Sequence, residues 1–333
     1  MEKVFVTGSN GFIGSHVCRD LLERGYDVYG LVRPTSDLRF LEGLNVKLVT
    51  GDLSDPDRID IPSGIAAVVH SASVVSDLAD ERECDRRIYR LAVNLVERLK
   101  KTGCRLKRFV YVSTALTLGF DGLDISEERP GKPLRFMPYA RAKIKTEEFL
   151  KTLHREEEFP VVILRPADVF GPQDRTSCAL ILRGCERGVP MIVGHGEWYF
   201  PFCYIDNLCQ VVYRSLVTPG IEGRTYTVTN GQPVTWKEFY SEIYSLLDIR
   251  QRIFLPAWLA MALAVVEEGL RAVIPRFTPS LSRYRIKRAT SHTTYDISRT
   301  IRELEYRPDQ DVRRQIKAIV DWYLEERKHG RPL

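Results

Sequence analysis

The stretch Val4–Gly14, VFVTGSNGFIG, decides the fold of this chain. A run of β-branched and aromatic residues leads into glycines at positions 8, 11 and 14, and an apolar-periodic stretch from Phe12 to Leu22 follows. Strand, glycine turn and helix in this order form the context in which a glycine motif binds a dinucleotide. The glycines allow a tight turn, a close approach of the backbone to a pyrophosphate, and close packing of helix on strand. We therefore predict a dinucleotide site whose pyrophosphate lies at a helix N-terminus.

Strand and helix signals alternate through the first half of the chain. The predicted strands are Lys3–Thr7, Asp27–Val32, Val46–Thr50, Ala66–Ser71, Arg108–Ser113 and Pro160–Leu164. The predicted helices are Ile13–Arg24, Asp85–Thr102 and Tyr139–Arg155, with a further amphipathic helix at Val312–Arg327. This alternation indicates an α/β protein with a doubly wound, parallel Rossmann sheet.

The pattern loosens from about residue 170, where Gly/Pro turns, short strands and helices mix. We predict a dinucleotide-binding Rossmann domain over residues 1–168, to which segments around 203–230 return. Residues 169–333 would form mainly a smaller, discontinuous substrate-binding and capping region.

Composition narrows the classes of function and the cellular setting. The net charge of +5 over 333 residues, without a basic arm, argues against nucleic-acid binding. Seven scattered cysteines without a CxxC pair, and six histidines without ligand spacing, predict reduced thiols in the cytoplasm and no metal site. Because the first strand signal begins at residue 3 or 4, we expect no signal or transit peptide.

Two pairs of residues carry the candidate chemistry. Tyr139 and Lys143 are four residues apart near the start of a predicted helix and therefore share one face. An ammonium beside a phenol stabilises the phenolate and lowers its pKa from about 10, which suits general acid–base catalysis. Ser113 and Thr114 follow an apolar strand and would lie at the sheet edge where the glycine turn also lies. For these hydroxyls, a helix N-cap or a turn is the alternative role.

Together these features resemble the extended short-chain dehydrogenase/reductase family along nearly the whole chain. The matching segments are TGSNGFIG at 7–14, GDL at 51–53, HSAS at 70–73, RP at 165–166, GP at 171–172, YIDN at 204–207, DIS at 296–298 and ELEYRP at 303–308. A hydrophobic helix opened by PAWL at 256–259, with LSRY at 281–284, resembles the 3β-hydroxysteroid and sterol dehydrogenase branch. Residues 33–37 and 41–44 also resemble hopanoid-associated epimerase-like and dihydroflavonol-reductase-like members.

The resemblance implies a role for each matching residue. Tyr139 would exchange a proton with the substrate carbinol or carbonyl, Lys143 would bind the nicotinamide ribose and lower the Tyr139 pKa, and Thr114 would hydrogen-bond the substrate oxygen. A homodimer formed through the helices that flank this motif is also implied. The implied cofactor-binding residues are Gly8, Asn10, Gly11, Phe12, Ile13, Gly14, Arg33, Asp52, Leu53, Ser71, Ala72, Ser73, Tyr139, Lys143 and Pro166.

Two positions depart from the family pattern. The second strand ends in Val32-Arg33 where NAD-preferring relatives carry an acid, and an arginine there can accommodate a 2′-phosphate. We therefore expect NADP rather than NAD, although Arg33 could instead be exposed or stack on adenine without discriminating. Ile88 stands where the family usually has an asparagine, which suggests reduced or specialised activity.

The expected substrate is apolar. Aromatic residues 198–200 replace the arginine that nucleotide-sugar enzymes use for phosphates, and Asp168 replaces an asparagine. The apolar segment Ile253–Val266 is too short to span a bilayer. It could be a buried helix, a lid over an apolar substrate, or an edge that touches a membrane surface. The predicted substrate contacts are Ser73, Asp168 and Phe200.

The leading hypothesis is an NAD(P)-dependent oxidoreductase that interconverts a secondary alcohol and a ketone on a sterol-like or other lipid molecule. One alternative is a nucleotide-sugar 4-epimerase or dehydratase that uses bound NAD. The other, motivated by Ile88, is a cofactor-binding sensor with weakened catalysis.

Overall fold

The structure is a computed structural model, which describes residues 1–74, 79–134, 136–250, 254–274, 277, 279 and 281–330. Its strands are β1 (Lys3–Thr7), β2 (Asp27–Val32), β3 (Lys47–Thr50), β4 (Ile65–His70), β5 (Arg108–Val112), β6 (Gly122–Ile125), β7 (Val161–Pro166), β8 (Asp168–Phe170), β9 (Tyr199–Phe200), β10 (Phe202–Tyr204), β11 (Thr225–Val228), β12 (Val234–Thr235) and β13 (Thr293–Tyr295). Its helices are α1 (Phe12–Glu23), α2 (Glu81–Cys84), α3 (Arg90–Lys101), α4 (Pro138–Glu157), α5 (Cys178–Glu186), α6 (Ile205–Val217), α7 (Trp236–Leu246), α8 (Ala257–Val273), α9 (Arg283–Ala289), α10 (Ser298–Leu304) and α11 (Val312–Lys328).

Seven strands form one parallel sheet in the order β3-β2-β1-β4-β5-β7-β11. The strand order reverses at β1, which lies between β2 and β4. In an open α/β sheet the ligand binds beyond the carboxyl ends of the strands at such a point. The predicted doubly wound Rossmann fold is therefore confirmed, and the predicted strands and helices of the first half lie close to the observed ones.

Side chains that alternate along the strands supply two separate cores. Val4 and Val6 of β1 belong to a core with α1 and α6, whereas Phe5 belongs to a core with α3 and α4 on the opposite face. Successive residues of a strand point to opposite faces, so a sheet covered on both sides needs apolar residues at every position. This is why the strand signals of the sequence are continuous apolar runs.

Short strand pairs join distant parts of the second half to the sheet's carboxyl edge. β8 pairs with β10, β9 pairs with β12, and β6 pairs with β13. β11 pairs with β7 in the main sheet, so the chain returns to the Rossmann layer after residue 200. The division of the chain at residue 168 stays a prediction.

The apolar segment at 253–266 forms most of α8, although Ile253 itself lies outside the described residues. No helix in the described part of the chain is long and apolar enough to cross a membrane.

Candidate active site

The glycine turn between β1 and α1 is built so that only glycine fits at two of its positions. Gly8 has φ +69°, and a Cβ on it would lie 2.9 Å from the backbone nitrogen of Ala72. A Cβ on Gly14 would lie 2.1 Å from the carbonyl oxygen of Gly8. Gly11 donates its N–H to the same carbonyl at 3.0 Å, and α1 begins at Phe12 without a side-chain cap in the described structure. The uncapped N–H groups and the absence of side chains fit a pyrophosphate.

Gly14→Ala is expected to destabilise the protein by about 1–3 kcal/mol and to abolish tight NAD(P)H binding, because backbone atoms surround the new methyl group. The matched control is Gly269→Ala, in the interior of α8, where nothing lies within 4 Å of the added carbon. It should raise stability by about 0.5–1 kcal/mol and leave binding unchanged. Urea unfolding and fluorescence titration with NADPH measure both effects. Tight NADPH binding by Gly14→Ala would contradict the assignment of this turn.

Two predicted contacts beside the turn pack into the body of the protein. Phe12 is half-buried with its ring 5.6 Å from that of His16, and Ile13 is half-buried against the core beneath α1. The Asn10 side chain donates to the carbonyl of Asp37 at 3.2 Å and ties the turn to the loop that follows β2.

The end of β4 forms one side of the candidate site. Ser71 donates its hydroxyl to the carbonyl of Thr7 at 2.8 Å, and the Thr7 hydroxyl lies 2.6 Å from Nδ1 of His70. His70 is fully buried, and burial together with the Lys143 charge lowers its pKa to about 3. The imidazole is therefore neutral. Its contact with Thr7 links the ends of β1 and β4, next to Ser71 and the half-buried Ser73.

The predicted adenosine end lies where β2 and β3 end side by side. The N–H of Gly51 donates to the carbonyl of Val32 at 2.9 Å, which brings Arg33 and Asp52 to the same edge. The pKa of the Asp52 carboxyl is lowered first by the backbone N–H of Ser54 and further by the charges of Arg33 and Arg87. Arg33 is exposed. This end of the site thus offers positive charge beside one carboxylate.

Leu53 serves this region through its backbone and its packing. Its side chain is buried in the core below β3, and its carbonyl accepts a 2.6 Å hydrogen bond from Nδ2 of Asn94. Asn94 is the later asparagine of the segment in which Ile88 replaces the earlier one. Ile88 is buried in a π-helical stretch, Asp85–Tyr89, and packs in the cluster that contains Tyr139. The departure at this position therefore replaces a polar group with core packing next to the candidate catalytic tyrosine.

The structure brings Thr114, Tyr139 and Lys143 together at the end of β5. Tyr139 lies in the first turn of α4, and its phenol lies close enough to the Thr114 hydroxyl for that hydroxyl to oppose the rise of its pKa. Nζ of Lys143 lies 6.0 Å from the centre of the Tyr139 ring and donates to the carbonyl of Val112 at 2.8 Å. The Thr114 hydroxyl also accepts from the N–H of Leu116 and caps a short 3₁₀ turn. Thr114 therefore takes the capping role, and its catalytic role stays a prediction.

The pKa of Tyr139 moves in the direction opposite to the one expected. Burial raises it to about 12, and the hydrogen bond with Thr114 opposes this shift. Burial also lowers the pKa of Lys143 to about 7, against the attraction of Glu147. Desolvation of the phenolate is the largest cause of this shift, and the lowering of the Tyr139 pKa by Lys143 stays a prediction. The phenol is protonated at neutral pH and is ready to donate.

A buried ion pair that was not predicted from the sequence supports this site. Glu147 lies one helical turn after Lys143 and accepts the hydroxyl hydrogen of Ser113. Arg165, at the end of β7, donates to both of its carboxylate oxygens, and the closest of these contacts is 2.6 Å. The side chains of Glu147 and Arg165 are 4% and 8% exposed. The pair therefore joins α4, β5 and β7 directly behind Thr114 and Lys143.

A family model described as "NAD dependent epimerase/dehydratase family" matches residues 4–228. The chain belongs to this family. The family match and the named relatives confirm the resemblance to extended short-chain dehydrogenases/reductases, and with it an NAD-dependent enzyme.

Two curated relatives extend this result over most of the chain. The 2-alkyl-3-oxoalkanoate reductase of Shewanella oneidensis is 28% identical, over 92% of this chain and 82% of its own length. The sterol-4-alpha-carboxylate 3-dehydrogenase (decarboxylating) of Mus musculus is 25% identical, over 96% of this chain and 91% of its own. The predicted similarity to the sterol dehydrogenase branch is confirmed.

The fold of this family member is also that of solved nucleotide-sugar enzymes. The UDP-glucuronic acid 4-epimerase from Bacillus cereus in complex with NAD superimposes with a TM-score of 0.75. The alignment covers 97% of this chain and 99% of that one at 22% identity, a level at which the likeness shows the fold alone.

Two of the substrate contacts predicted for this family member, Asp168 and Phe200, lie in different surroundings. Asp168 follows the buried Pro166 at the end of β7 and forms an ion pair with Arg288 of α9. Phe200 is 1% exposed, and its ring stacks on Trp236 with 4.0 Å between centres. The ring is thus part of an aromatic core, and a contact of Phe200 with substrate stays a prediction. That core consists of Phe170, Phe200, Phe202, Trp236, Phe239 and Tyr240.

Proposed function

We propose that this protein is an NADP(H)-dependent oxidoreductase that interconverts a secondary alcohol and a ketone on a lipid molecule. The observation that carries the proposal is the contact of Tyr139 with Thr114 beside Lys143, at the edge where the glycine turn also ends. A phenol and a hydroxyl that lie side by side can both reach a single substrate oxygen.

The names of the relatives support a lipid that carries a carboxylate beside the reacting carbon. Both 2-alkyl-3-oxoalkanoate and sterol-4-alpha-carboxylate describe an apolar body with a carboxylate on the carbon next to carbon 3. A β-hydroxy or β-oxo acid of this kind is the substrate class that we propose. The aromatic stretch before β10 supports it indirectly, because it supplies no cation for a nucleotide diphosphate.

Each residue of the site has a definite task in this reaction. Tyr139 Oη donates a proton to the carbonyl oxygen during reduction and accepts one from the alcohol during oxidation. Thr114 Oγ1 orients the same oxygen, and Lys143 binds the ribose hydroxyls and stabilises the phenolate as it forms. The glycine turn, Ser71 and Asp52 hold the dinucleotide, which supplies the hydride chemistry when bound.

A panel of oxidations and reductions tests the proposal directly. The purified protein is assayed with NADPH and NADH against a 2-alkyl-3-oxoalkanoate and a 3-oxosteroid, and with the oxidised cofactors against the corresponding alcohols. UDP-glucose and UDP-glucuronic acid are included as epimerase substrates. We expect turnover on a lipid member. Turnover on the UDP-sugars alone would establish the epimerase alternative, and cofactor binding without any turnover would establish the sensor.

Arg33→Ser is expected to weaken NADPH binding by about 10- to 150-fold, and NADH binding by little. The expected loss is that of a hydrogen-bonded charge contact worth about 1.5–3 kcal/mol. Arg24→Ser, which alters an arginine at the far end of α1, is the control and should change neither affinity. Fluorescence titrations with the two reduced cofactors measure the ratio. Equal losses for both cofactors would contradict the preference for NADP.

A further inference from the structure

The charged and apolar faces of helix α8 are oriented opposite to those of a usual surface helix. Its contact with α9 is made by the small, fully buried Ala260 and Ala264. Its two acidic residues are half-buried and turned towards the protein, where Glu267 accepts the N–H of Leu281 and Glu268 forms an ion pair with Arg283. A surface helix normally presents its charged residues to water and its apolar residues to the core. In α8 the charged residues face inwards.

The outward face of α8 is entirely apolar over the described residues. Its large side chains are 41 to 81% exposed, and Trp258 and Val273 are the most exposed. Among the described residues, eight of the seventeen exposed large apolar side chains lie between positions 254 and 274. The outward side chains are Trp258, Leu263, Val265, Val266, Leu270 and Val273. A continuous apolar surface of this kind marks an interaction site.

The charges around this face identify the occupant. The neighbouring helix α9 exposes Arg283, which pairs with Glu268, together with Arg285 and Lys287, and carries no acidic residue. A second copy docked about a two-fold axis would bring its own basic α9 near this one, which is repulsive. An anionic lipid surface complements both features, since it takes up the apolar face and attracts the basic flank.

We infer that the face formed by α8, with the basic residues of α9 beside it, docks on the surface of an anionic phospholipid membrane. The same two helices reach the candidate active site. Tyr284 of α9 packs against Phe120 in the cluster that contains Tyr139, and Arg288 pairs with Asp168. Docking would therefore place the substrate region next to the bilayer, although the docking itself does not depend on the proposed reaction.

Vesicle sedimentation tests the docking with the full chain. The vesicles contain phosphatidylcholine alone or phosphatidylcholine with phosphatidylglycerol, at low and high salt. The wild-type protein should sediment with the phosphatidylglycerol vesicles, less at high salt, and the emission of Trp258 should shift to the blue.

Val266→Asp/Val273→Asp should weaken binding at least about tenfold. Lys287→Gln should weaken it about fivefold, as expected for one basic residue near an anionic surface.

The matched control carries the same charge change on another exposed apolar pair, Leu180→Asp/Val189→Asp. It should bind vesicles like the wild type. Circular dichroism and NADPH titration show that the variants are folded, and Trp258→Phe assigns the emission shift. The inference is overturned if the wild type binds neither vesicle, or if Val266→Asp/Val273→Asp binds like the wild type. It is equally overturned if that variant converts a lipid-free dimer to a monomer in sedimentation velocity, because the face then joins two copies.

Discussion

Tyr139→Phe is expected to lower kcat by about 10²- to 10⁴-fold, the usual contribution of a positioned general acid or base. The ring should keep its place in the cluster with Ile88, Ala140 and Tyr284, so folding and cofactor binding should be preserved. The variant removes the phenol whose pKa the neighbouring Thr114 hydroxyl lowers. Steady-state kinetics on the most active substrate of the panel, with NADPH affinity measured in parallel, separates catalysis from binding.

Tyr306→Phe is the matched control for this experiment. Tyr306 is also a buried tyrosine, and its hydroxyl donates to the carbonyl of Thr229 at 2.7 Å, on the side of the protein held by α10 and α11. Its loss should cost about 1 kcal/mol of stability and leave kcat unchanged. If Tyr139→Phe retains wild-type turnover, Tyr139 is not the proton-transfer residue. If both variants lose turnover, the loss reflects packing rather than chemistry.

Glu147→Ala is expected to reduce the free energy of unfolding by about 3–5 kcal/mol, because it leaves the buried guanidinium of Arg165 without its main partner. The Ser113 hydroxyl also loses its acceptor. Arg165 keeps its contact with the exposed Glu127, but its link to α4 behind Thr114 is lost, so kcat should fall as well. Urea unfolding monitored by circular dichroism measures the first effect, and kinetics measure the second.

The adjacent residue provides the control for this variant. Glu148 is exposed on the same helix, and Glu148→Ala removes the same charge with the same change in helix propensity. Its effect on stability should stay within about 0.5 kcal/mol. Equal destabilisation by the two variants would show that the helix, and not the ion pair, depends on the carboxylate.

The parts of the site that depend on local sequence were predictable. The glycine turn follows from residues 4–14, because a strand signal, three glycines and a helix signal in succession predict one kind of turn. Tyr139 and Lys143 share a face because they are four residues apart on one helix. Ser113 and Thr114 follow a strand whose apolar run places them at the carboxyl edge of the sheet. In each case the determining interactions lie within about a dozen residues.

The features that the sequence could not predict concern contacts between distant parts of the chain. The aromatic residues near Phe200 have the same sequence pattern whether they line a cleft or stack on Trp236, and only the packing of β9 against β12 decides which. Glu147 becomes important through Arg165, which β7 brings beside α4. The pKa of Tyr139 depends on burial by all the surrounding elements. The presence of Lys143 four residues later in the sequence could therefore not predict the direction of the pKa shift.

The sequence by itself determined the fold, the family and the group of residues that can move a proton. These depend on strand, turn and helix signals, and each signal is formed by residues close together in the sequence. The tertiary structure alone decided how those residues are tuned and which apolar surfaces are left outside. The sequence of residues 253–266 predicts a hydrophobic segment whatever its surroundings. Only the packing of Ala260 and Ala264 against α9 turns the acidic residues of α8 inwards and its large apolar side chains outwards, since helix rotation is set by the partner on which the helix packs.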